Sequence, residues 1–374
     1  MVRLGDVFKI TSGGTPLKTK NEYYNNGTIP WVKTGNLKHK FITNGTDMIT
    51  QAGLMNSSAK MFPKGTVLIA MYGATIGACS ILGIEASTNQ ACAAFLPNET
   101  VNNSYLYYFL ISHKEKLIRM GVGGAQPNIS GTILKSVEIS LPPLDIQKNI
   151  ADTLDKTQEI IEGHKRQFEE LDNLIKSTFY NMFGDPIMNN KEWDIKTFGD
   201  ISNVRQGLQI AIQNRKKEPG LNRHKYITVQ YLNGNKGEEY IENPKETVVC
   251  RKSDILMTRT GNTGMVITNA EGVFHNNFFL IDYDRNILEK EFVLSFLRYP
   301  SIQADLIRRA TTSTIPDLNH SEFYKIKIYL PPKGLQNKFA EIVTNIEEQK
   351  SLVKQSITQS QNLFNSLVSK YFDE

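Results

Sequence analysis

Cysteine is scarce in this 374-residue chain, and the usual metal-binding spacings are missing from it. Cys79, Cys92 and Cys250 lie far apart without a CxxC pair, which excludes a disulfide scaffold and a thiolate zinc site. The six histidines show no HxH or HxxxH spacing, so we expect no metal site. The N-terminal MVRLGDVFKI has no apolar core of signal-peptide length, and we therefore expect a cytoplasmic protein.

Motifs that carry catalysis are also missing. The sequence has no GxxxxGK[ST] phosphate loop, no GxGxxG after a strand, no GxSxG elbow and no DPPY-like methyltransferase loop. Asp317, Glu322 and Lys325 resemble part of a PD-ExK nuclease set, but their spacing is wrong and an internal counterpart has Asn128 in place of Asp317. We therefore expect no catalytic group in this chain.

Long uncharged runs are limited to residues 65–84, GTVLIAMYGATIGACSILGI. This run has the length of a membrane span and contains a GxxxG pattern. Its internal counterpart carries Arg259 and Asn262, which a lipid-facing helix would not keep. The run therefore predicts two buried strands that turn at the glycines.

Positive charge is concentrated in two long blocks of the chain. The net charge of +5 divides into +6 for residues 1–144, −3 for 145–184, +3 for 185–333 and −1 for 334–374. The two long blocks are thus the basic ones, which is a first indication that they meet a polyanion.

An internal repeat is the strongest signal in the sequence. Leu141-Pro142-Pro143 recurs as Leu330-Pro331-Pro332 at an offset of 189, and the match continues without a gap for some forty residues. Upstream, with small shifts, the following pairs align: residues 4–7 with 198–201, Trp31-Val32 with Tyr226-Ile227, 67–69 with 255–257, Thr88-Asn89-Gln90 with His275-Asn276-Asn277, and 126–129 with 315–318. The chain is thus one unit written twice, and each unit is a globular block followed by a long helix.

The two blocks and the two helices differ in their periodicity. Short β-rich runs separated by Gly, Asn and Pro predict α+β blocks with mostly strands, plus one helix at 105–120 and its counterpart at 291–309. The segments after the two Pro-Pro pairs show strict 4-3-4-3 apolar spacing over five heptads, from Ile150 to Met182 and from Phe339 to Tyr371. This spacing predicts two antiparallel coiled-coil helices of roughly 60 Å, with the blocks at opposite ends. We expect Asp145 and Gly334 to cap the helices, and His164 and Lys350 to fix the register.

Basic and amide side chains cluster in the predicted turns of both blocks. Lysine and arginine neutralise phosphates, while Arg, Asn, Gln and Thr can read base edges. A solvated basic face would give a similar pattern, but its recurrence in both repeats beside rigid helices favours DNA. The candidate DNA-binding residues are Lys18, Lys20, Lys33, Lys38, Tyr72, Thr75, Asn89, Gln90, Gln126, Asn128, Arg205, Arg215, Lys216, Lys217, Arg223, Arg259, Asn262, Thr263, Asn276, Asn277, Arg308, Arg309 and Thr312.

The ordered set of segments resembles the specificity subunit of Type I restriction–modification systems. The matching segments are RLGDV and FGDI at the block starts, LPPLDIQKNI and LPPKGLQNKF at the helix starts, and LDNLIKSTFYNMFGDP at the end of the first helix. Together they extend over essentially the whole chain. The resemblance implies target-recognition domains at 1–144 and 185–333, separated by spacer helices at 145–184 and 334–374.

The resemblance also implies partners and a division of labour. Each recognition domain would read one half of a split sequence in double-stranded DNA, and the helices would set the gap. Two methyltransferase subunits would supply S-adenosylmethionine, and two motor-nuclease subunits would use ATP and Mg²⁺, whereas this chain would bind no cofactor itself and no membrane. Two alternatives stay open: a recognition subunit of a system whose methyltransferase and nuclease are fused, or a coiled-coil scaffold that does not bind DNA.

Overall fold

The computed structural model describes residues 1–45, 47–121, 127–234, 237–310 and 316–373. The chain divides into two compact units, which we call unit 1 (residues 1–165 and 355–374) and unit 2 (residues 166–354). Two helices of 40 residues each, Leu144–Phe183 and Lys333–Phe372, contribute one part to each unit. No helix within the described ranges is long and apolar enough to cross a membrane.

Among its described residues, unit 1 contains three sheets and five short α-helices. The main sheet has the strand order Ile10–Ser12, Cys92–Phe95, Val67–Ala70, Cys79–Leu82, Phe41–Ile42. The second has the order Met48–Ile49, Ile29–Val32, Ala86–Thr88, Met61–Phe62, and Val2–Arg3 pairs with Glu138–Ile139. The helices are Leu4–Val7, Gln51–Met55, Asn103–Ser112, Lys114–Met120 and Gly131–Ser136.

Unit 2 repeats this plan. Its main sheet has the order Ser202–Gln206, Phe278–Tyr283, Ile255–Thr258, Val266–Ile267. The second has the order Tyr240–Glu242, Arg223–Ile227, Gly272–Phe274, Val249–Cys250, and Asp194–Thr197 pairs with Lys327–Leu330. The helices are Phe198–Ile201, Val229–Leu232, Lys290–Arg298, Pro300–Arg309 and His320–Tyr324. The α+β class and the internal repeat are therefore confirmed.

The uncharged run at 65–84 forms the predicted pair of strands. Val67–Ala70 and Cys79–Leu82 are antiparallel and wholly buried, and the turn between them holds Gly73 and Gly77 at positive φ. The main sheet of unit 1 therefore has an apolar centre because both faces are covered, which explains why the run lacks alternation.

The predicted coiled-coil seam is confirmed within each unit. Every predicted seam residue of both helices is buried or partly buried. In unit 2 the rings of Phe179 and Phe183 meet Phe339, near the start of the second helix, with centroids 5.7 and 5.2 Å apart. In unit 1 the last turns of the second helix pack Phe364 against Tyr108 and Phe372 against Tyr105. The end of the first long helix thus packs within unit 2, whose globular block precedes the second long helix, and the end of the second packs within unit 1. Antiparallel pairing of the two helices requires this arrangement.

Two local predictions were wrong. The long helices begin at Leu144 and Lys333, so Asp145 and Gly334 lie in the first turn and are not caps. The helix expected at 105–120 is broken at His113, where the backbone leaves helical geometry. Its counterpart at 291–309 is broken before Pro300, which has no N–H for a continued helix.

Candidate nucleic-acid interface

Loops at one end of the sheets in unit 1 converge on each other. The Gly14 amide donates to the Thr88 carbonyl at 2.9 Å, and the Asn89 amide donates to the Val32 carbonyl at 2.9 Å. The Met71 amide donates to the Ala91 carbonyl at 2.8 Å, and the Met71 carbonyl accepts from Ile129 at 2.8 Å. We call the loops joined in this way, residues 13–20, 33–38, 71–77, 89–91 and 127–130, the first loop edge.

Unit 2 builds an equivalent second loop edge from residues 207–210, 259–264, 275–277 and 316–319. The equivalent backbone hydrogen bonds are Leu208 to Phe274 at 3.0 Å, His275 to Ile227 at 3.0 Å, Arg259 to Asn277 at 2.8 Å, and Leu318 to Arg259 at 2.9 Å. These bonds correct one alignment by a residue, because Asn89 is equivalent to His275 and not to Asn276. The parallel pairs Val32–Thr88 and Ile227–Phe274 give the same register.

The first loop edge brings most of the unit 1 candidates together. Tyr72, Thr75, Asn89, Gln90 and Asn128 all lie on it and none of these side chains is buried. The Thr15 hydroxyl donates to the Gln90 amide oxygen. Four lysines lie on the same edge, of which Lys18 and Lys38 are exposed, Lys20 bonds to the Tyr23 hydroxyl and Lys33 pairs with Asp47.

The basic candidates between 205 and 223 are less available than the sequence indicates. Only Glu218 is acidic nearby in sequence, but antiparallel pairing of Arg223–Ile227 with Tyr240–Glu242 places further carboxylates opposite them. Arg223 pairs with Glu242 at 3.1 Å, and Arg215 pairs with Glu239 at 3.0 Å while stacking on Tyr226.

The remaining basic candidates of this stretch differ in exposure. The guanidinium of Arg205 lies against the carbonyls of residues 246 and 247. Lys216 and Lys217 are exposed, and the backbone of Lys216 pairs with that of Tyr240.

The second loop edge holds five of the unit 2 candidates. Arg259 makes a bidentate ion pair with Asp317, which raises the pKa of the guanidinium further. The Thr263 hydroxyl lies 3.1 Å from the carbonyl oxygens of both Arg259 and Pro316 and can donate its one hydrogen to either. Asn262 is exposed beside it. Asn276 and Asn277 follow the strand that ends at Phe274.

Arg308, Arg309, Gln126 and Thr312 complete the set of candidates. Arg308 and Arg309 both pair with Asp305 on their own helix, and Arg309 also approaches Glu322 at 3.6 Å. Gln126 and Thr312 lie outside the described residues.

Several polar atoms at the loop edges have no hydrogen-bond partner within the described part of the chain. They include Oδ1 of Asn89 and Oδ1 of Asn276, and directly beside the edges Oγ1 of Thr88 and Nε2 of His320. Burial lowers the pKa of His275 and of His320, so both imidazoles are neutral at neutral pH. Buried polar groups normally have a hydrogen-bond partner in the protein or in ordered water, so these atoms are suited to bonding a polar ligand.

A buried glutamine in each unit is a residue to which the sequence analysis assigned no role. Gln147 and Gln336 are 1% and 0% exposed. Each amide nitrogen donates to two carbonyls, of Thr100 and Pro142 in unit 1 and of Ile287 and Pro331 in unit 2. Each amide oxygen accepts from the backbone N–H of the residue that caps a shorter helix, Asn102 in unit 1 and Glu289 in unit 2. An equivalent glutamine thus fastens a long helix to the globular block in each unit. The sequence indicates this glutamine only through its recurrence at the offset of 189 residues.

Lys40 is a second residue that was not among the candidates. It forms an ion pair with Asp155 of the first long helix, and Asp155 also accepts from the Tyr108 hydroxyl at 2.5 Å. The side chain of Lys40 lies over the rings of Tyr107 and Tyr108, and burial lowers its pKa. This ion pair connects the strand at 41–42 with the long helix in unit 1.

Among the described residues, no cluster of His, Cys, Asp or Glu could hold a metal ion.

One known protein resembles this chain over most of its length, and a second resembles it over less than half. The specificity subunit of the Type I restriction enzyme MjaIX from Methanocaldococcus jannaschii is 27% identical over 383 residues, which extend over 92% of this chain and 86% of that protein. The EcoR124I/EcoR124II specificity subunit of Escherichia coli is 29% identical over 175 residues, which are 44% of this chain and 43% of that protein.

Solved structures share the fold. The S subunit of a Type I restriction–modification system from M. genitalium has a TM-score of 0.61 at 18% identity, and the match extends over 99% of this chain and 95% of that one. A chain from a structure of a type I R-M system has a TM-score of 0.64 at 17% identity, with 99% and 96% matched. The model of the Type I restriction modification DNA specificity domain matches residues 1–173 and 190–360. This chain therefore belongs to the Type I restriction–modification DNA specificity family.

Proposed function

We propose that this chain is the DNA-recognition subunit of a Type I restriction–modification complex, and that each unit reads one half of a bipartite site. The observation that carries the proposal is the pair of loop edges. They share the same backbone hydrogen bonds, but equivalent positions carry different side chains: Met71 and Arg259, Asn128 and Asp317. Two loop edges with the same backbone arrangement but different side chains would recognise two different DNA sequences, which suits an asymmetric site in two halves.

The proposal assigns roles to the parts of the chain. Residues 1–144 and 185–333 would be the recognition domains, and the helices at 145–184 and 334–374 would set the gap between the half-sites. Base contacts would come from the polar side chains of the loop edges, and phosphate contacts from exposed lysines such as Lys18, Lys38, Lys216 and Lys217. Residues such as Arg215 and Arg223, which are paired with carboxylates, would support the loops instead.

The proposed partners carry the chemistry. Two methyltransferase subunits would bind S-adenosylmethionine and methylate adenine, and two motor-nuclease subunits would use ATP and Mg²⁺. This chain would act in the cytoplasm, bind no cofactor and supply no catalytic group. Its contribution would be the choice of the DNA sequence.

Mapping N6-methyladenine tests the proposal. Cells that express this chain with the methyltransferase subunit of its own system are compared by long-read sequencing with cells that lack only this chain. We expect a methylated split motif that disappears without the chain. Unchanged methylation, with the complex shown to assemble, would contradict DNA recognition and would favour a scaffold that binds only protein.

A further inference from the structure

The ion pair between Arg259 and Asp317 joins two loops of the second loop edge. Arg259 Nε lies 2.9 Å from Oδ1 of Asp317, and an Nη2 hydrogen is directed at Oδ2 across 2.7 Å. The side chains are 25% and 33% exposed. Two parallel hydrogen bonds fix the plane of the guanidinium as well as its position.

The fold does not need this ion pair. The Arg259 backbone is already bound through its N–H to Asn277 and through its carbonyl to Leu318. Unit 1 makes the equivalent two bonds, both of 2.8 Å, around Met71, which has no charge. Since the same backbone arrangement forms without an ion pair, Asp317 serves to place the Arg259 side chain rather than to hold the loops together.

Within the described part of the chain, the Arg259 guanidinium bonds only to Asp317, which leaves one defined edge of it without a partner there. Arginine has five N–H donors, and Asp317 takes one from Nε and one from Nη2. The outer edge keeps one hydrogen on Nη2 and two on Nη1, so Nη1 and Nη2 can donate two parallel bonds. Such a pair matches O6 and N7 of guanine in the major groove.

The carboxylate also selects against a phosphate partner. An anion at 2.7 Å cancels much of the charge of Arg259 and repels a DNA phosphate brought close to it. The neutral acceptors of a base edge do not suffer this repulsion. Exposed lysines elsewhere in the unit remain better phosphate ligands.

We infer that Arg259 reads a guanine in the half-site of unit 2 and that Asp317 is the residue that positions it. The inference rests on the proposed function and specifies the base that is recognised, guanine, and the two atoms of it that are contacted, O6 and N7. It also predicts that the unit 1 half-site is read differently at the equivalent place, because Met71 and Asn128 cannot form this arrangement.

The test uses the assembled methyltransferase complex and duplexes that carry its mapped site. Each guanine of the unit 2 half-site is replaced in turn by 7-deazaguanine, which removes only the N7 acceptor. Because a bidentate contact discriminates by about ten- to a hundred-fold, loss of one of its two bonds should weaken wild-type binding about three- to ten-fold at one position. The Arg259→Ala complex should bind less tightly and should not respond to the replacement at that position.

Two further variants separate positioning from folding. Asp317→Ala should keep most of the affinity for the unmodified site but lose preference for guanine over adenine at the same position. Arg251→Ala removes an exposed ion pair with Glu246 in the same unit and should change neither affinity nor preference. The 7-deazaguanine series on the wild type needs no variant, so it can still overturn the inference if a substituted chain fails to fold.

The outcomes distinguish this inference from the proposed function. A half-site without guanine, or specific binding that tolerates 7-deazaguanine at every position, overturns the role of Arg259 and leaves DNA recognition intact. A loss of preference at the unit 1 half-site in Asp317→Ala would also overturn it. Absence of any specific binding by the wild-type complex contradicts the proposed function itself.

Discussion

Replacing Gln147 with alanine should destabilise unit 1 and leave unit 2 unchanged. The substitution removes three hydrogen bonds of 2.8–3.1 Å from a side chain that is 1% exposed. A buried polar group left without a partner costs roughly 1–3 kcal/mol. Thr100 is exposed and Asn102 partly so, which allows water to reach two of the orphaned groups. We therefore expect each orphaned group to cost an amount near the low end of this range, and the free energy of unfolding of unit 1 to fall by about 2–4 kcal/mol in total.

Hydrogen exchange is the suitable assay because two units need not unfold together. The amides of the helix Asn103–Ser112 should exchange faster in Gln147→Ala, with a reduction of the opening free energy of about 2–4 kcal/mol. The matched control is Asn149→Ala, an exposed amide on the same long helix within unit 1, for which we expect a change within about 0.5 kcal/mol.

The reciprocal substitution completes the test. Gln336→Ala should produce the same effect at Lys290–Arg298 in unit 2 and none in unit 1, because it makes the equivalent bonds there. A change in Gln147→Ala no larger than in the Asn149 control would refute the claim that this glutamine fastens the long helix to the globular block of unit 1.

Four other predictions concern unit 1, the helices and the basic surface. Asp155→Ala should cost about 1–3 kcal/mol because it leaves the partly buried Lys40 ammonium unpaired. Adding Lys40→Met should recover part of the loss in thermal unfolding, and no recovery would refute the coupling. Burial lowers the pKa of His113 in the folded state, so its neutral imidazole contributes stability above the unfolded-state pKa of about 6.5, and this stability is lost as the pH falls toward the folded-state pKa. The melting temperature should therefore fall less between pH 7.5 and pH 5.5 in His113→Gln than in the wild type. An equal fall in both proteins would exclude His113 as a source of the pH dependence. Reversing Lys216 and Lys217 to glutamate should weaken duplex binding and reduce its salt dependence, whereas an unchanged salt slope would argue against phosphate contact. Removing one heptad, about 10 Å, from each long helix should change the gap in the methylated motif and keep both half-sites, and an unchanged gap would contradict the spacer role.

Local patterns were enough to predict most of the fold. The 4-3-4-3 spacing identified both long helices, and the uncharged run at 65–84 identified two buried strands, because periodicity and burial are encoded in neighbouring residues. Helix ends were less predictable. The break at His113 has no Pro or Gly to indicate it, so nothing in the local sequence separates it from a continuous helix.

The candidate site depended on contacts between distant residues, and the sequence predicted less of it. Turn composition found the asparagines and threonines that the loop edges display. It could not show that Glu239 and Glu242 pair with Arg215 and Arg223, since strand pairing decides that. Nor could it indicate that Asp317 would lie against Arg259, 58 residues away in the chain.

Exchange of one globular block tests the central claim, that one unit reads one half-site. Residues 1–140 are replaced by the corresponding segment of another family member, and N6-methyladenine is mapped in cells that also express the methyltransferase subunit. We expect a motif in which one half changes while the other half and the class of methylated base stay the same. A motif in which both halves change, or neither does, would contradict the assignment of one half-site to each unit.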